Sequence, residues 1–200
     1  IEAGAYLRSD PALDEPDLQS FFLPGLSTAT LRVPFLPAPR AQGHGFFANV
    51  YQLRPDSRGE IRLRSADPRE PPAIHANYLS APRDRQVLRR GVRILREVFA
   101  QAPFDRFRGP ELSPGPEVRG DAELDAWIAR SAGAVFHPVG TCRMGADEAS
   151  VVDGALRVRG IAGLRVADAS VMPAMPSGNT HAPTMMVAEK AAEFILREAA

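Results

Sequence analysis

Two runs near the end of the chain decide its reading: residues 134–145, AVFHPVGTCRMG, and residues 151–196, VVDGALRVRGIAGLRVADASVMPAMPSGNTHAPTMMVAEKAAEFIL. Each holds one histidine, His137 and His181, in a segment punctuated by Gly and Pro. Between them ALRVRG and GLRVADAS alternate like short strands, separated by a Gly-Ile-Ala-Gly turn. From Pro183 to Arg197, Met186, Val187, Lys190, Ala191, Phe194 and Ile195 recur at helical spacing, which predicts a closing amphipathic helix. Irregular histidine loops flanked by regular elements suit a site, because loops carry function where a scaffold holds them.

Pro138 disfavours the α conformation at His137, so this imidazole is expected on extended chain at a bend. A neutral ring in such a place can accept the proton of an alcohol as a general base; it can equally be a structural histidine bonded to a carbonyl. His181 precedes the closing helix, with Asn179 and Thr180 as candidate caps. The N–H groups and positive dipole end of that helix would favour an anionic group or an oxygen gathering charge. Alternatively, NTHAPT only caps the helix. Asp168 could join the two histidines around a metal, but the spacing matches no metal motif. Cys142 could be a nucleophile with His137 as base, a hydrolase reading, although no thiol-enzyme signature and no G-x-S-x-G surrounds it. His44 and His75 read as surface or packing residues.

Working outward, residues 1–45 are interrupted by Pro11, Pro16, Pro24, Pro34, Pro37 and Pro39, with QSFFL at 19–23 as one short buried strand. GFFANVYQL and EIRLRS, joined by PDSRG, predict a β-hairpin with one wet face, Ile61 and Leu63 lying opposite Arg62 and Arg64. Pro82–Ala102 is the clearest helix, with Ser80 as N-cap and a stripe of Val87, Gly91, Ile94, Leu95, Val98 and Phe99. Arg89, Arg90, Arg93 and Arg96 fall mostly off that stripe and are expected to be a solvated face. Asp121 is expected to cap a shorter helix over 122–131, with Leu124, Trp127 and Ile128 inward. Hairpins and helices without repeated βαβ units predict an α+β fold.

The composition, 44% hydrophobic and 24% charged over 200 residues, is that of an ordinary globular protein. Lys+Arg and Asp+Glu are both 24, and a net charge of zero argues against a nucleic-acid partner. Cys142 is the sole cysteine, so no intrachain disulfide is possible, and a reducing, cytoplasmic compartment is expected. IEAGAYLRSD has neither an initiator Met nor a signal pattern, so a truncated chain is expected. No G-x-G-x-x-G dinucleotide fingerprint occurs.

HPVGTCRMG, the strand ending in Asp-Ala-Ser, and Gly-Asn-x-x-x-Pro-Thr opening a helix together resemble the C-terminal region of the glucose–methanol–choline oxidoreductases. Within that family the choline-dehydrogenase branch is the nearest in pattern. IEAGAYLRS, QSFFLP and the stretch from GFFANVYQL through IHANYL are similar to the family's substrate domain. The resemblance implies a substrate-binding domain over residues 1–133, built on an antiparallel sheet with helices packed on one face. Residues 134–200 would supply active-site loops and a segment completing an FAD-binding domain. It further implies that FAD accepts hydride at N5 while a primary alcohol becomes an aldehyde. His137 would then be the base, and His181 the second active-site residue orienting the substrate oxygen. Asp168 and Ala169 would meet the ribityl–phosphate region, and Pro183 and Thr184 the flavin ring. The partners implied are a small-molecule alcohol and the N-terminal FAD domain that this chain lacks, and no metal enters the scheme. Without that domain the chain alone is expected to be colourless and inactive. Choline-oxidising members usually carry Asn where His181 stands, which argues against choline itself. A non-catalytic interaction module or degenerate paralogue is the alternative.

Overall fold

A computed structural model describes residues 1–26 and 43–199. Pro34, Pro37 and Pro39, expected to interrupt helical structure, lie outside the described residues. The chain divides into two compact units, Ile1–Gln52 with Pro82–Ala132, and Leu53–Ala81 with Gly133–Ala200. Both mix strands or bridges with helices, in keeping with the α+β expectation.

The first unit is built on a three-stranded antiparallel sheet of β1 (Ala3–Leu7), β2 (Leu18–Pro24) and β3 (Phe46–Gln52), in the order β1-β2-β3. The pairing Leu18↔Gln52, Ser20↔Val50, Phe22↔Ala48 and Pro24↔Phe46 sets these residues on one face. There Phe22 and Phe46 pack with Phe99 and Phe104 at ring separations of 5.1–6.3 Å. On the opposite face Phe21 meets Tyr51 edge-on at 5.6 Å. Aromatic cross-strand pairs of this kind stabilise a register by some tenths of a kcal/mol each, up to about 1 kcal/mol.

This pairing corrects the expected hairpin. β3 joins β2 across the chain, and EIR forms β4 (Glu60–Arg62), which pairs with β5 (Ala73–His75) in a separate two-stranded sheet. The physical reason lies in the length and aromatic content of the ladder. Seven pairs carrying aromatic contacts on both faces reward β2–β3 more than the three residues of β4 could reward β3–β4. Nor does β4 have one wet face: Ile61 and Leu63 are themselves exposed.

Helix α1 (Pro82–Phe99) lies on β3, with Val87, Gly91 and Val92 buried. Val98, expected on the apolar stripe, is exposed instead. Gly91 permits the approach, since a Cβ there would stand 2.7 Å from Val50 Cγ2 and 3.3 Å from Leu18 Cδ1. Buried Asp84 accepts a hydrogen bond from Gln52 Nε2 at 2.8 Å.

The arginine face of α1 is not simply solvated. Helix α2 (Asp121–Ser131) brings acids to it: Arg89 meets Asp125 at 2.6 Å and Asp121 at 3.4 Å, and Arg93 meets Asp121 at 2.5 Å. Arg96 pairs with Glu111 at 3.0 Å and donates to the carbonyls of Gly115 and Val118. It thereby fixes the Pro-rich loop between the two helices. Leu124 and Ile128 of α2 are buried and Trp127 half-buried. Gly120 rather than Asp121 is the N-cap, and Glu123 reaches back to accept from the Gly120 and Arg119 N–H groups at 2.9 Å.

In the second unit the short strands expected at ALRVRG and GLRVADAS appear only as isolated bridges, Met144 with Val152, Val152 with Val158, and Arg157 with Arg165. Two-residue contacts replace a ladder because Gly154, Gly160 and Gly163 and the turns they make break every run. Helix α3 (His181–Ala199) begins two residues before the expected Pro183. Its Val187 and Ala191 enter a core of Val152, Leu156, Val171 and Met172, lined by Val139, Met144, Val158, Val166, Ala169 and Phe194.

Candidate active site

The site is built where that second core meets the HPVGTCRMG segment. Val139, two residues after His137, packs on the core. Gly140 has φ of +90°, a left-handed backbone that glycine tolerates. From there the chain is laced to its neighbours: the Cys142 N–H donates to the Ser170 carbonyl at 3.0 Å, and the Met144 N–H to the Val171 carbonyl at 2.8 Å. The Gly145 N–H continues to the Val152 carbonyl at 3.1 Å. These bonds tie the HPVGTCRMG segment to the Asp-Ala-Ser segment and to the start of the 151–166 loops.

The loop leaving the histidine segment is held by charge. Arg143 donates to both carboxylate oxygens of Asp147, at 2.7 and 2.9 Å, and Ser150 Oγ adds a third bond at 2.8 Å. The Arg143 guanidinium, then the Ser150 hydroxyl, hold the Asp147 carboxyl far below the usual carboxylate range. At the far end of α3, Glu198 is kept below its ordinary value by Arg165 and then Arg157. That pair of arginines ties the helix to the 153–165 loop.

His137 is half-buried, with both ring nitrogens engaged. Nδ1 lies 2.8 Å from the Oγ1 of Thr180, and Nε2 lies 2.8 Å from the Nδ2 of Asn179. Thr180 is buried and is the cap of α3, its carbonyl accepting from the Thr184 N–H at 2.9 Å and the Thr184 hydroxyl at 2.7 Å. Upstream in the same loop, Arg54 donates to Ser177. Of the residues expected at the site, His137 and the NTHAPT segment therefore meet. The atoms that meet belong to Asn179 and Thr180, which the sequence offered only as caps. His181 is exposed as the first residue of α3. Pro183 and Thr184 stand in the first turn of that helix, both half-buried. Asp168 is exposed, its carboxylate accepting from the Ser170 N–H at 2.8 Å, and Ala169 opens the short 3-10 turn Ala169–Val171. Cys142 is half-buried. Among the described residues no group of three or more His, Cys, Asp or Glu side chains is placed to hold a metal ion.

Comparison with known proteins gives this arrangement its context. A family model described as GMC oxidoreductase matches residues 55–188. The chain belongs to the GMC oxidoreductase family. Among its curated relatives, an oxygen-dependent choline dehydrogenase of Chromohalobacter salexigens is 46% identical over 197 residues, 98% of this chain and 34% of the relative. One of Rhizobium rhizogenes is 44% identical over 198 residues, 98% of this chain and 35% of the relative. The chain thus spans about a third of the length of the curated relatives it matches. Among solved structures, the pyridoxine 4-oxidase from Mesorbium loti superposes with a TM-score of 0.80 at 32% identity, covering 95% of this chain and 36% of that one. An Aspergillus oryzae formate oxidase, studied for modification of its FAD, superposes with a TM-score of 0.81 at 31% identity, covering 93% and 32%. GMC neighbours are FAD-dependent oxidoreductases.

Whether this chain's residues suit a flavin can be judged from their chemistry. A flavin requires apolar surface for its ring system and polar groups for its ribityl chain. Val135 and Phe136 beside His137, and Met185 early in α3, are exposed apolar side chains. Asp168 and His181 are exposed polar ones. The donor set fits the group in kind.

Proposed function

We propose that this chain is the C-terminal part of an FAD-dependent enzyme that oxidises a primary alcohol to an aldehyde, with His137 as the base. The observation that carries this reading is the His137 ring, held at Nδ1 by Thr180 and met at Nε2 by the Asn179 amide. A ring so held presents a directed proton acceptor rather than a freely rotating one. An alcohol delivering its hydroxyl proton to Nε2 takes the place of the Asn179 amide on that nitrogen. The partner, on this reading, is a small-molecule alcohol. His181, exposed at the first residue of α3, orients the substrate oxygen, and the N-terminal dipole of that long helix favours the negative charge growing there.

FAD, when bound, supplies the acceptor for the hydride leaving the carbinol carbon. Asp168 and Ala169 would hold its ribityl–phosphate region, and Pro183 and Thr184 would face its ring. Residues 1–133 act on this reading as the substrate-binding part. Residues 134–200 bring the catalytic loops and complete an FAD domain otherwise supplied by a longer protein. His181 supports a substrate other than choline, within a family whose relatives here are named choline dehydrogenases. No helix among the described residues is long and apolar enough to cross a membrane. The single cysteine supports a cytoplasmic location as part of the same proposal.

The test is anaerobic, alcohol-dependent bleaching of the flavin in the longer protein. His137→Ala is expected to slow it about 10²–10⁴-fold, the usual contribution of a general base, while flavin binding survives. Turnover at the unmodified rate would overturn the role given to His137.

A further inference from the structure

Resting on the assignment of His137 as the base, we propose that Thr180 is a positioning residue. It holds the imidazole as the Nδ1–H tautomer, so that the lone pair at Nε2 faces the reacting alcohol.

The two ring contacts define the tautomer together. An amide NH₂ group can only donate, so the Asn179 Nδ2 at 2.8 Å requires Nε2 to accept. A neutral imidazole carries a single N–H, which must then sit on Nδ1 and point at its neighbour, Thr180 Oγ1, at 2.8 Å. The threonine hydroxyl is the acceptor in that bond. The opposite tautomer would set an N–H on Nε2 against the Asn179 amide hydrogens, and neither group could receive the other.

The position of the Thr180 hydroxyl is fixed by the structure around it. Thr180 is 8% exposed. Its carbonyl is bound twice by Thr184, which locks its backbone to the first turn of α3. Its branched Cβ restricts χ1. Helix α3 is in turn seated by Val187 and Ala191 in the core that Val139 touches, so both ends of the His137–Thr180 contact are anchored to the same cluster. A helix cap 43 residues away in sequence therefore supplies the acceptor that the Nδ1–H of this tautomer needs, while Asn179 selects Nε2 as the basic nitrogen.

The experiment is ¹⁵N NMR of the longer protein labelled at histidine, recorded where the ring is neutral, with His137 identified by its loss in His137→Ala. The wild-type chain is expected to show a protonated Nδ1 and an unprotonated Nε2. Thr180→Val keeps the branched shape and the backbone cap but removes the acceptor. It is expected to lose the single-tautomer signature, and Thr180→Ser to restore it. In the longer protein, Thr180→Val should lower kcat with little change in KM, by about the 10–100-fold that losing the partner orienting a metal-binding histidine costs. A wild-type spectrum showing Nε2–H, or a folded Thr180→Val chain with an unaltered spectrum, would overturn the proposal. The wild-type measurement decides even if the valine variant does not fold. Full turnover in His137→Ala would remove the base assignment and leave the tautomer result standing, so the two failures are distinguishable.

Discussion

The two units of this chain are held together by different means. The unit containing β1–β3, α1 and α2 relies on repetition: a seven-pair antiparallel ladder, a four-ring aromatic cluster and a row of arginine–carboxylate pairs along two helices. In the unit containing α3, the short three-pair β4–β5 ladder apart, lone bridges and turns surround one apolar cluster. Regular elements place side chains by period, and every residue on a face shares the same support. Irregular loops place each side chain by its own set of bonds, so a histidine, its tautomer and its approach can be set one by one. The cost is that the geometry of His137 depends on the core that seats α3 and Val139 as well as on its own two bonds.

Truncating one large core residue in each unit tests that dependence most forcefully. Leu18 and Leu156 are both buried, at 0% and 3% exposure. Each change to alanine is expected to cost roughly 2–5 kcal/mol, read from denaturant unfolding followed by amide exchange in the unit concerned. The spectra should differ where the stabilities agree. Leu156→Ala should broaden or shift the His137 ring signals because its core seats α3 and Val139, whereas Leu18→Ala should leave them in place. Equal disturbance of His137 by both variants would show that the site does not depend on its own core in the way described.

How much of this was legible in the sequence follows the same division. QSFFLP, FFANVYQ and the helix beginning at Pro82 announce themselves through local periodicity, and each forms. Their pairing was not legible, because choosing β2 over EIR as the partner of β3 is a competition between distant segments. Strand β1, AGAYL, was missed for a related reason: a short, exposed edge strand with Gly and Ala has no alternation to see. The arginines of α1 look solvated in the sequence because their acids, Asp10, Glu111, Asp121 and Asp125, lie 15 to 80 residues away. At the site, the ordered motifs pointed to His137 and to the NTHAPT loop. Which atoms of that loop would reach the ring was hidden, since nothing local to Asn179 or Thr180 reports a partner 42 or 43 residues upstream.

A smaller effect is expected at Gly91, where the regular unit is tightest. Alanine there gains about 1 kcal/mol of helix propensity over glycine. The added Cβ would stand 2.7 Å from Val50 Cγ2, and overpacking of this kind costs about 1–3 kcal/mol. Overpacking wins, because the obstructing methyl belongs to a stiff branched side chain on a paired strand. Gly91→Ala should therefore destabilise the unit by roughly 0–2 kcal/mol, measured by denaturant unfolding. A clear gain in stability would mean that the sheet and α1 slide apart more easily than their aromatic contacts suggest.

The gentlest probe is acid, which acts on the irregular unit through its exposed carboxylates. Asp147 is held low by Arg143 and then Ser150, Asp153 by the Arg157 and Ala155 N–H groups, and Glu198 by Arg165 and then Arg157. A carboxylate whose pKa is depressed on folding binds fewer protons in the folded state than in the unfolded one. Its contribution is therefore fully present above the ordinary values of 3.8 for Asp and 4.5 for Glu, and is lost as pH falls through the lowered folded value. The carboxylates of Asp147 and Glu198 are exposed and that of Asp153 is half-exposed, so the loss should be slight and further weakened by salt. Amide exchange should consequently quicken in residues 143–165 and at the end of α3 as pH drops below about 4, after correction for the intrinsic rate. Arg143→Gln and Arg165→Gln return Asp147 and Glu198 towards their ordinary values, so they should quicken exchange already at neutral pH and flatten its further rise in acid. The sheet unit holds its own low carboxylates, Asp121 beside Arg93 and Glu123 at the Gly120 cap, yet the backbone bonds of its ladder and its aromatic cluster contain no titratable group, the Asp84–Gln52 bond touching only the ladder's end. Loosening that began in the ladder before the 143–165 loops would reverse the contrast between the two units.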